Sequence, residues 1–290
     1  MKLAVSNIAW LAGEKNEAYA LLQRHGVRGL EIAPGLLMAG EADPFAPSAR
    51  AVAEFRAAMA EFGLEPVSMQ SLLFGTAGAQ LFGTSAELTR FEESIHRALN
   101  LADRLDIANL VFGSPGNRGF PDGLSEADAL ARAADTFWRL GERAAALGRT
   151  LAIEPTPAVY GTNFLTTVDA TAQFVAALRH PAISLNFDIG ALHATGEAAD
   201  AAGILDRTKG FISHVHISEP MLAPAPADAG SLADIIRTIS DSGYHRWYSI
   251  EMRRADSDPL HVLDQCIQRA KRGLAMGLNP DRSRKGDNAD

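Results

Sequence analysis

Four acidic or imidazole side chains close four consecutive short apolar runs in the second half of the chain: Glu154 ends LAIE, Asp188 ends ISLNFD, His216 ends FISHVH and Glu251 ends WYSIE. Read as β-strands, such runs turn alternate side chains to opposite faces. Leu151 and Ile153 then oppose Ala152 and Glu154, while Ile183, Leu185 and Phe187 oppose Ser184, Asn186 and Asp188. Val215 opposes His214 and His216, and Tyr248 and Ile250 oppose Ser249 and Glu251. If the bulky faces pack on helices, three carboxylates and an imidazole point into one mouth. Carboxylates crowded together away from water repel and take up protons, and a divalent cation cancels that cost. Oxygen donors with a single imidazole suit Mn2+, Mg2+, Co2+ or Fe2+ and leave positions open for substrate oxygens. The expectation is one divalent metal ion, Mn2+, Mg2+ or Co2+ before others, held by Glu154, Asp188, His216 and Glu251.

These residues need a scaffold that brings strand ends together. Short apolar runs alternate with longer segments whose apolar residues recur at helical spacing, which is the pattern of repeated βα units around a parallel sheet. Eight runs read as strands: Leu3–Asn7, Arg28–Ile32, Pro66–Gln70, Asn109–Phe112, Leu151–Glu154, Ile183–Asp188, Phe211–His216 and Trp247–Glu251. Between them lie stretches such as SAELTRFEESIHRALNLADRL and DALARAADTFWRLGERAAAL, built from strong helix formers. Eight strands in strict alternation with helices predict an α/β fold, the (β/α)8 TIM barrel, over residues 1–278, followed by a polar tail at 279–290. A doubly wound open sheet would be expected to carry a GxGxxG turn after its first strand, and none is present. In a barrel the active site lies where the strands end, so the loops SLLFGTAGAQLFG (71–83) and SEPMLAPAPADAGS (218–231) are expected to cover it.

Composition narrows the function. The 290 residues are 47% hydrophobic and 21% charged, ordinary globular usage. Lys and Arg number 27 against 35 Asp and Glu, a net charge of −8, and no dense basic cluster supplies the phosphate-neutralising surface that nucleic-acid binding depends on. The single cysteine, Cys266, excludes an intramolecular disulfide and any cysteine-rich zinc site, and points to a reducing compartment. No window approaches 18 uninterrupted apolar residues, so no membrane span is expected. Ser6 and Asn7 interrupt the apolar N-terminus, which reads as a strand rather than a signal peptide. A cytoplasmic protein acting on a small molecule is expected, without nucleic-acid or membrane partners, and compatible with a homo-oligomer.

The sequence resembles the xylose-isomerase-like TIM barrels, which include sugar phosphate isomerases and epimerases, ketose 3-epimerases, hydroxypyruvate isomerases, inosose dehydratases and, more distantly, endonuclease IV. The resemblance rests on LAIEP (151–155), NFDIG (186–190), HVHISEP (214–220) and SIEM (249–252), with support from SMQSLLFG (68–75) and LVFGSPGNR (110–118). It implies metal ligands at Glu154, Asp188, His216 and Glu251, and an acid/base pair formed by Glu154 and Glu251. Members similar to endonuclease IV add histidines on earlier strands for a three-zinc cluster. Here the third strand ends in Gln70 and the fourth in FGSP. Ketose 3-epimerases carry a substrate-contacting histidine and arginine where this chain has Ala191 and Leu222, with His193 nearby as a substitute.

The expected activity is isomerisation or epimerisation of a sugar or sugar derivative, by proton transfer next to a carbonyl through a metal-stabilised enediolate. The alternatives are a dehydratase or lyase on a keto-sugar or inosose-like compound, and a non-catalytic sugar-binding barrel. Substrate contacts are expected from Glu31 and Gln70 by parity, from Asn117 and Arg118 after the fourth strand, and from Asn163, His193 and Glu219 in loops. His214 reads as a supporting histidine.

Overall fold

The computed structural model describes residues 2–208 and 210–278; the expected polar tail, 279–290, lies outside the described residues. Eight parallel strands close into a barrel in chain order: β1 (Leu3–Ser6), β2 (Gly29–Ile32), β3 (Glu65–Met69), β4 (Asn109–Phe112), β5 (Thr150–Ile153), β6 (Ile183–Asp188), β7 (Ile212–Ser218) and β8 (Tyr248–Glu251). The expected (β/α)8 architecture is the one observed, with strand ends within two residues of expectation. The largest difference is β7, which runs on to Ser218, so that Ser218 pairs with Glu251 of β8.

Helices pack outside the barrel, and local sequence sets their limits. Ser85–Leu105 starts with a capping box in which Thr84 and Glu87 satisfy each other's backbone N–H groups. Ser125 caps Glu126–Ala146 and Thr167 caps Val168–Leu178. Ala49–Phe62 ends at Gly63, whose φ of +65° a side chain would resist.

The hydrophobic core fills the space between sheet and helices, as the alternation requires. Leu151, Ile153, Leu185, Phe187, Val215, Ile217 and Ile250 on the outward strand faces are at most 1% exposed. A ladder of edge-to-face and tilted aromatic contacts joins helices to sheet: Phe91 to Phe112 at 5.5 Å between ring centres, Phe112 to Phe137 at 5.4 Å and Phe137 to Phe174 at 5.9 Å.

Inside, the barrel is polar. Asn109 donates to Ser68 at 3.1 Å, Ser213 donates to Asn109 at 2.7 Å, and Ser213 and Ser184 share a hydrogen bond of 2.6 Å. Strict alternation from Val215 would turn Ser213 outward. A β-bulge re-phases β7 instead: Leu185 pairs with Ile212 and Asn186 with His214, leaving Ser213 as the extra residue that joins the interior network. A second irregularity, between Leu30 and Glu31 of β2, leaves Val67 of β3 out of the pairing with β2.

Phe137 is fully buried between two neighbouring rings. Phe137→Ala removes it without touching the barrel mouth, and urea unfolding should show a loss of about 3–5 kcal/mol, as large buried aromatic truncations do. A loss under about 1 kcal/mol would mean that the ladder does not hold sheet and helices together.

Candidate metal and catalytic site

Glu154 follows β5, Asp188 and Glu251 end β6 and β8, and His216 lies in β7 opposite Asp188. The inward parity read from the sequence therefore brings all four together. The Nδ1 atom of His216 lies 2.8 Å from Glu154 Oε1, 3.1 Å from Glu251 Oε2 and 3.6 Å from Asp188 Oδ2. Its other nitrogen, Nε2, lies 3.1 Å from Glu31 Oε1. The imidazole is fully buried, whereas the carboxylates of Glu154, Asp188 and Glu251 keep 16%, 10% and 8% of their side-chain surface open to the cavity above.

Neighbouring groups hold each carboxylate in place. Asn186 Nδ2 donates to Glu154 Oε1 at 2.8 Å. Asp188 caps the short helix Ile189–Ala194 by accepting from the backbone N–H of Ala191, and Ser218 donates to its other oxygen at 2.7 Å. The backbone N–H of Gly190 donates to Ser218 in turn, at 2.9 Å, and a Cβ on Gly190 would stand only 2.8 Å from that hydroxyl. Gly113, after β4, makes room for Glu154: a Cβ there would lie 2.3 Å from its Oε2.

Electrostatics show what the cluster lacks. Burial pushes the Glu154 carboxyl above its ordinary value, with repulsion from Asp188 and Glu31 adding to the rise and His216 opposing it. Burial likewise pushes Glu251 up to about 7, with repulsion from Glu154 and Asp188 adding to the rise and His216 opposing it. Burial opposes charge on His216, but Glu31, Glu251, Asp188 and Glu154 together hold it well above the usual imidazole range. Burial also works against ionised Glu31, yet the charge and hydrogen bond of His216, with a hydrogen bond from Ser68, keep it at about 2. His214, pulled down to about 4 by burial, is neutral and bonded to Ser249 at 2.7 Å.

Three carboxylates thus converge on one imidazole nitrogen, which can offer them a single proton. This donor set fits a divalent cation. One ligand atom from each of Glu154, Asp188, His216 and Glu251 lies within 4.8 Å of all the others. Nδ1 faces the carboxylates while Nε2 is bonded to Glu31, the outer-partner arrangement that orients a metal-binding imidazole and raises its basicity. Glu31, His214 and His216 form a second close group, but all three are at most 1% exposed, and that layer is a hydrogen-bonded support beneath the first.

The cavity above measures about 340 Å³. Gln70, Asn117 and Glu219 line it, as the sequence led one to expect of substrate contacts. Four other expected contacts lie elsewhere. Glu31 is sealed under His216. Arg118 is buried behind the wall, stacked on Phe112 and Phe164, and donates to the carbonyls of Gly113 and Glu154 and to Thr156. Asn163 is turned away to bridge the backbone of Phe120. His193 lines a separate recess of about 160 Å³, which it shares with Glu219. Both long loops contribute to the main cavity, through Leu73 and Phe74 from one and Glu219 and Leu222 from the other.

Tyr160 in the loop after β5 lines the cavity without having been singled out in the sequence; a tyrosine outside any periodic element gives no directional signal. Its hydroxyl accepts from the backbone N–H of Met221 at 2.8 Å, tying the β5 loop to the β7 loop. Asn186 was visible on the face of Asp188, but its bond to Glu154 was not.

A model of the xylose isomerase-like TIM barrel family matches residues 19–273, and the chain belongs to that family. Comparison with curated proteins finds no match. Several solved structures are similar. An L-ribulose 3-epimerase shares 17% identity over 100% of this chain and 99% of its own, with a TM-score of 0.78. The apo form of 3-keto-D-glucoside 4-epimerase from E. coli shares 17% over 92% and 98%, at 0.74. The IOLI protein, solved with a zinc atom, shares 15% over 97% and 99%, at 0.69. At these identities the likeness establishes the fold. Among the described residues, no helix is long and apolar enough to cross a membrane.

Glu31→Gln keeps the shape beneath His216 and removes the charge. Calorimetric titration should show Mn2+ affinity falling about 10–100-fold with an unchanged circular dichroism spectrum. Gly113→Ala should weaken Mn2+ binding too, by displacing the Glu154 carboxylate. Wild-type affinity in both variants would mean that the ion binds elsewhere than at this cluster.

Proposed function

We propose that this protein is a divalent-metal-dependent isomerase or epimerase acting on a sugar or sugar derivative. The observation that carries the proposal is how the two glutamates divide their oxygens. Glu154 commits Oε1 to Asn186 and His216, while Oε2 has no hydrogen-bond partner among the described residues; Glu251 commits Oε2 to His216 and leaves Oε1 without one among them. Each carboxylate is thus anchored by one oxygen and has the other available to a proton in the cavity. They reach it from β5 and β8, separated around the barrel by β6 and β7.

Glu154, Asp188, His216 and Glu251 would hold a divalent ion, whose positive charge would acidify a C–H bond next to a substrate carbonyl. Either free glutamate oxygen can then take that proton as general base. In an epimerase the second glutamate returns a proton to the other side of the same carbon. In an aldose–ketose isomerase one glutamate can return it to the adjacent carbon. Gln70, Ser71, Ser114 and Asn117 offer polar atoms to substrate hydroxyls along the β3 and β4 side.

Tyr160 supports a second reading, elimination of a β-hydroxyl. Burial raises its hydroxyl above the ordinary phenol value, so it stays protonated, and having accepted from Met221 it can still donate into the cavity. A donor placed there suits a departing hydroxide.

The test is incubation of Mn2+-loaded protein in D2O with ketoses, keto-sugars and inososes, following deuterium incorporation by NMR. Glu154→Gln and Glu251→Gln should each lose at least about 10²-fold in turnover while retaining Mn2+. With two bases, each variant still exchanges one epimer; with one base, a single variant loses exchange altogether. An unsaturated product that disappears in Tyr160→Phe would favour elimination. Full turnover in both metal-loaded glutamine variants would refute the roles given to the glutamates.

A further inference from the structure

The cavity wall is unlike a site for a charged sugar. Its titratable side chains are Glu154, Asp188, Glu219, Glu251 and Tyr160, with no Arg, Lys or His among the lining residues. The three ligand carboxylates already exceed the charge of a divalent ion by one, and Glu219 adds to the excess. Arg118 is fully buried and is not among the lining residues, and its Nη1 is bonded to the carbonyls of Gly113 and Glu154 and to Thr156. Arg253, after β8, touches Leu222 through its backbone N–H, but its side chain is exposed and is not part of the wall. A phosphate, with about two negative charges, would enter this field unpaired.

The wall also combines polar and apolar residues. Gln70 directs its amide N–H groups to Ser6 and Glu31, and Asn117 directs one of its two to the carbonyl of Ala79, while among the described residues no hydrogen bond occupies either side-chain oxygen, so both can accept from hydroxyls. Ser71 and Ser114 stand beside them with φ of +57° and +45°, strained positions that present their side chains at the cavity. Leu73, Phe74, Pro157 and Leu222 add apolar surface to the same wall. Phe74 is 68% exposed, a large apolar surface left in water at the rim. Gly35 gives its ring a place, since a Cβ there would come within 2.6 Å of Phe74 Cδ1. Val159 and Met221, next in sequence to the lining residues Tyr160 and Leu222, are 67% and 50% exposed. Isolated exposed apolar residues are ordinary, but these three lie on loops that all contribute to one cavity.

We infer that the substrate is an uncharged, hydroxyl-bearing ring with an apolar substituent, the ring lying against the carboxylates and the β3–β4 polar atoms and the substituent lying between Phe74 and Leu222. Sugar phosphates and sugar acids are rejected by the negative wall. This deepens the isomerase reading and rests on it for the position of the ring. A cavity of about 340 Å³ holds a monosaccharide ring, and the substituent then extends to the rim.

The test uses Mn2+-loaded protein and three probes, methyl β-D-glucopyranoside, phenyl β-D-glucopyranoside and glucose 6-phosphate, with binding measured by calorimetry. The phenyl glycoside should bind at least about tenfold more tightly than the methyl glycoside, the gain expected from burying an aromatic ring. Glucose 6-phosphate should bind more weakly than either. Phe74→Ala and Leu222→Ala should bring the two glycosides to near parity while leaving the affinity of the methyl glycoside within about twofold. Gly35→Ala, which leaves both apolar residues in place but displaces the ring, should narrow the preference as well. Equal affinity for the two glycosides, no binding of the phenyl glycoside, or preference for the phosphate would overturn the inference. So would a change in solution mass on Phe74→Ala with no change in glycoside preference, which would give the rim to a second copy of the chain. Deuterium entering unsubstituted ketoses with no phenyl preference would leave the isomerase reading standing and remove this one. A phenyl preference without exchange into any substrate would do the reverse.

Discussion

One imidazole organises the centre of this molecule. His216 stands between a carboxylate below it, Glu31, and three above it, Glu154, Asp188 and Glu251. Four carboxylates around one ring, almost wholly removed from water, make a charge arrangement that the protein alone balances only by holding extra protons. The polar barrel interior follows from this constraint. A barrel can be filled by branched aliphatic side chains, but each polar atom brought inside needs a partner. The interior accordingly continues downward as linked hydroxyls and amides: His214 with Ser249, Ser213 with Asn109 and Ser184, and Asn109 with Ser68. Stability is delegated to the aromatic and aliphatic layer outside the sheet, and the inside is given over to holding charge.

Arg118 shows the same division of labour at the mouth. It is fully buried without a carboxylate bonded to its guanidinium, and burial pulls it down to about 9 against the opposing attraction of Glu154. Its Nη1 instead gathers the carbonyls of Gly113 and Glu154 and the hydroxyl of Thr156, so it fastens the end of β4 to the end of β5. The stacked rings of Phe112 and Phe164 compensate part of the buried charge. A residue whose type suggests an anion site is here a clamp on the backbone that carries Glu154.

Much of this was legible in the sequence, because a side chain on a strand has only two directions to choose from. Alternation alone aimed Glu154, Asp188, His216 and Glu251 inward, and the number of alternating units fixed the barrel. Loop residues had no such rule to follow. Arg118, Asn163 and His193 were compatible in type with substrate contact, but their directions depend on partners distant in sequence: Thr156 and Glu154 for Arg118, Phe120 for Asn163, and the recess beside Asp228 for His193. Glu31 was aimed inward correctly by parity, but parity says nothing of depth, and depth makes it a partner of His216 instead of a wall of the cavity. Tyr160 carried no periodic signal at all.

The bulge in β7 gives the chain a sensitivity to length that is separate from its sensitivity to composition. Ser213 is the residue by which β7 exceeds its neighbour β6, and every side chain after it owes its direction to that surplus. Substituting Ser213 disturbs a few hydrogen bonds. Deleting it would remove the surplus and shift the preceding stretch of β7, Ile212 first, by one place against β6, or else reverse the faces of all that follows, turning Val215 and Ile217 toward the carboxylates and His216 toward the helices. The reading frame of the site is thus stored in one serine that is hydrogen-bonded to Asn109 and Ser184 and to none of the four clustered residues, so the presence of a residue at that place matters more than its type.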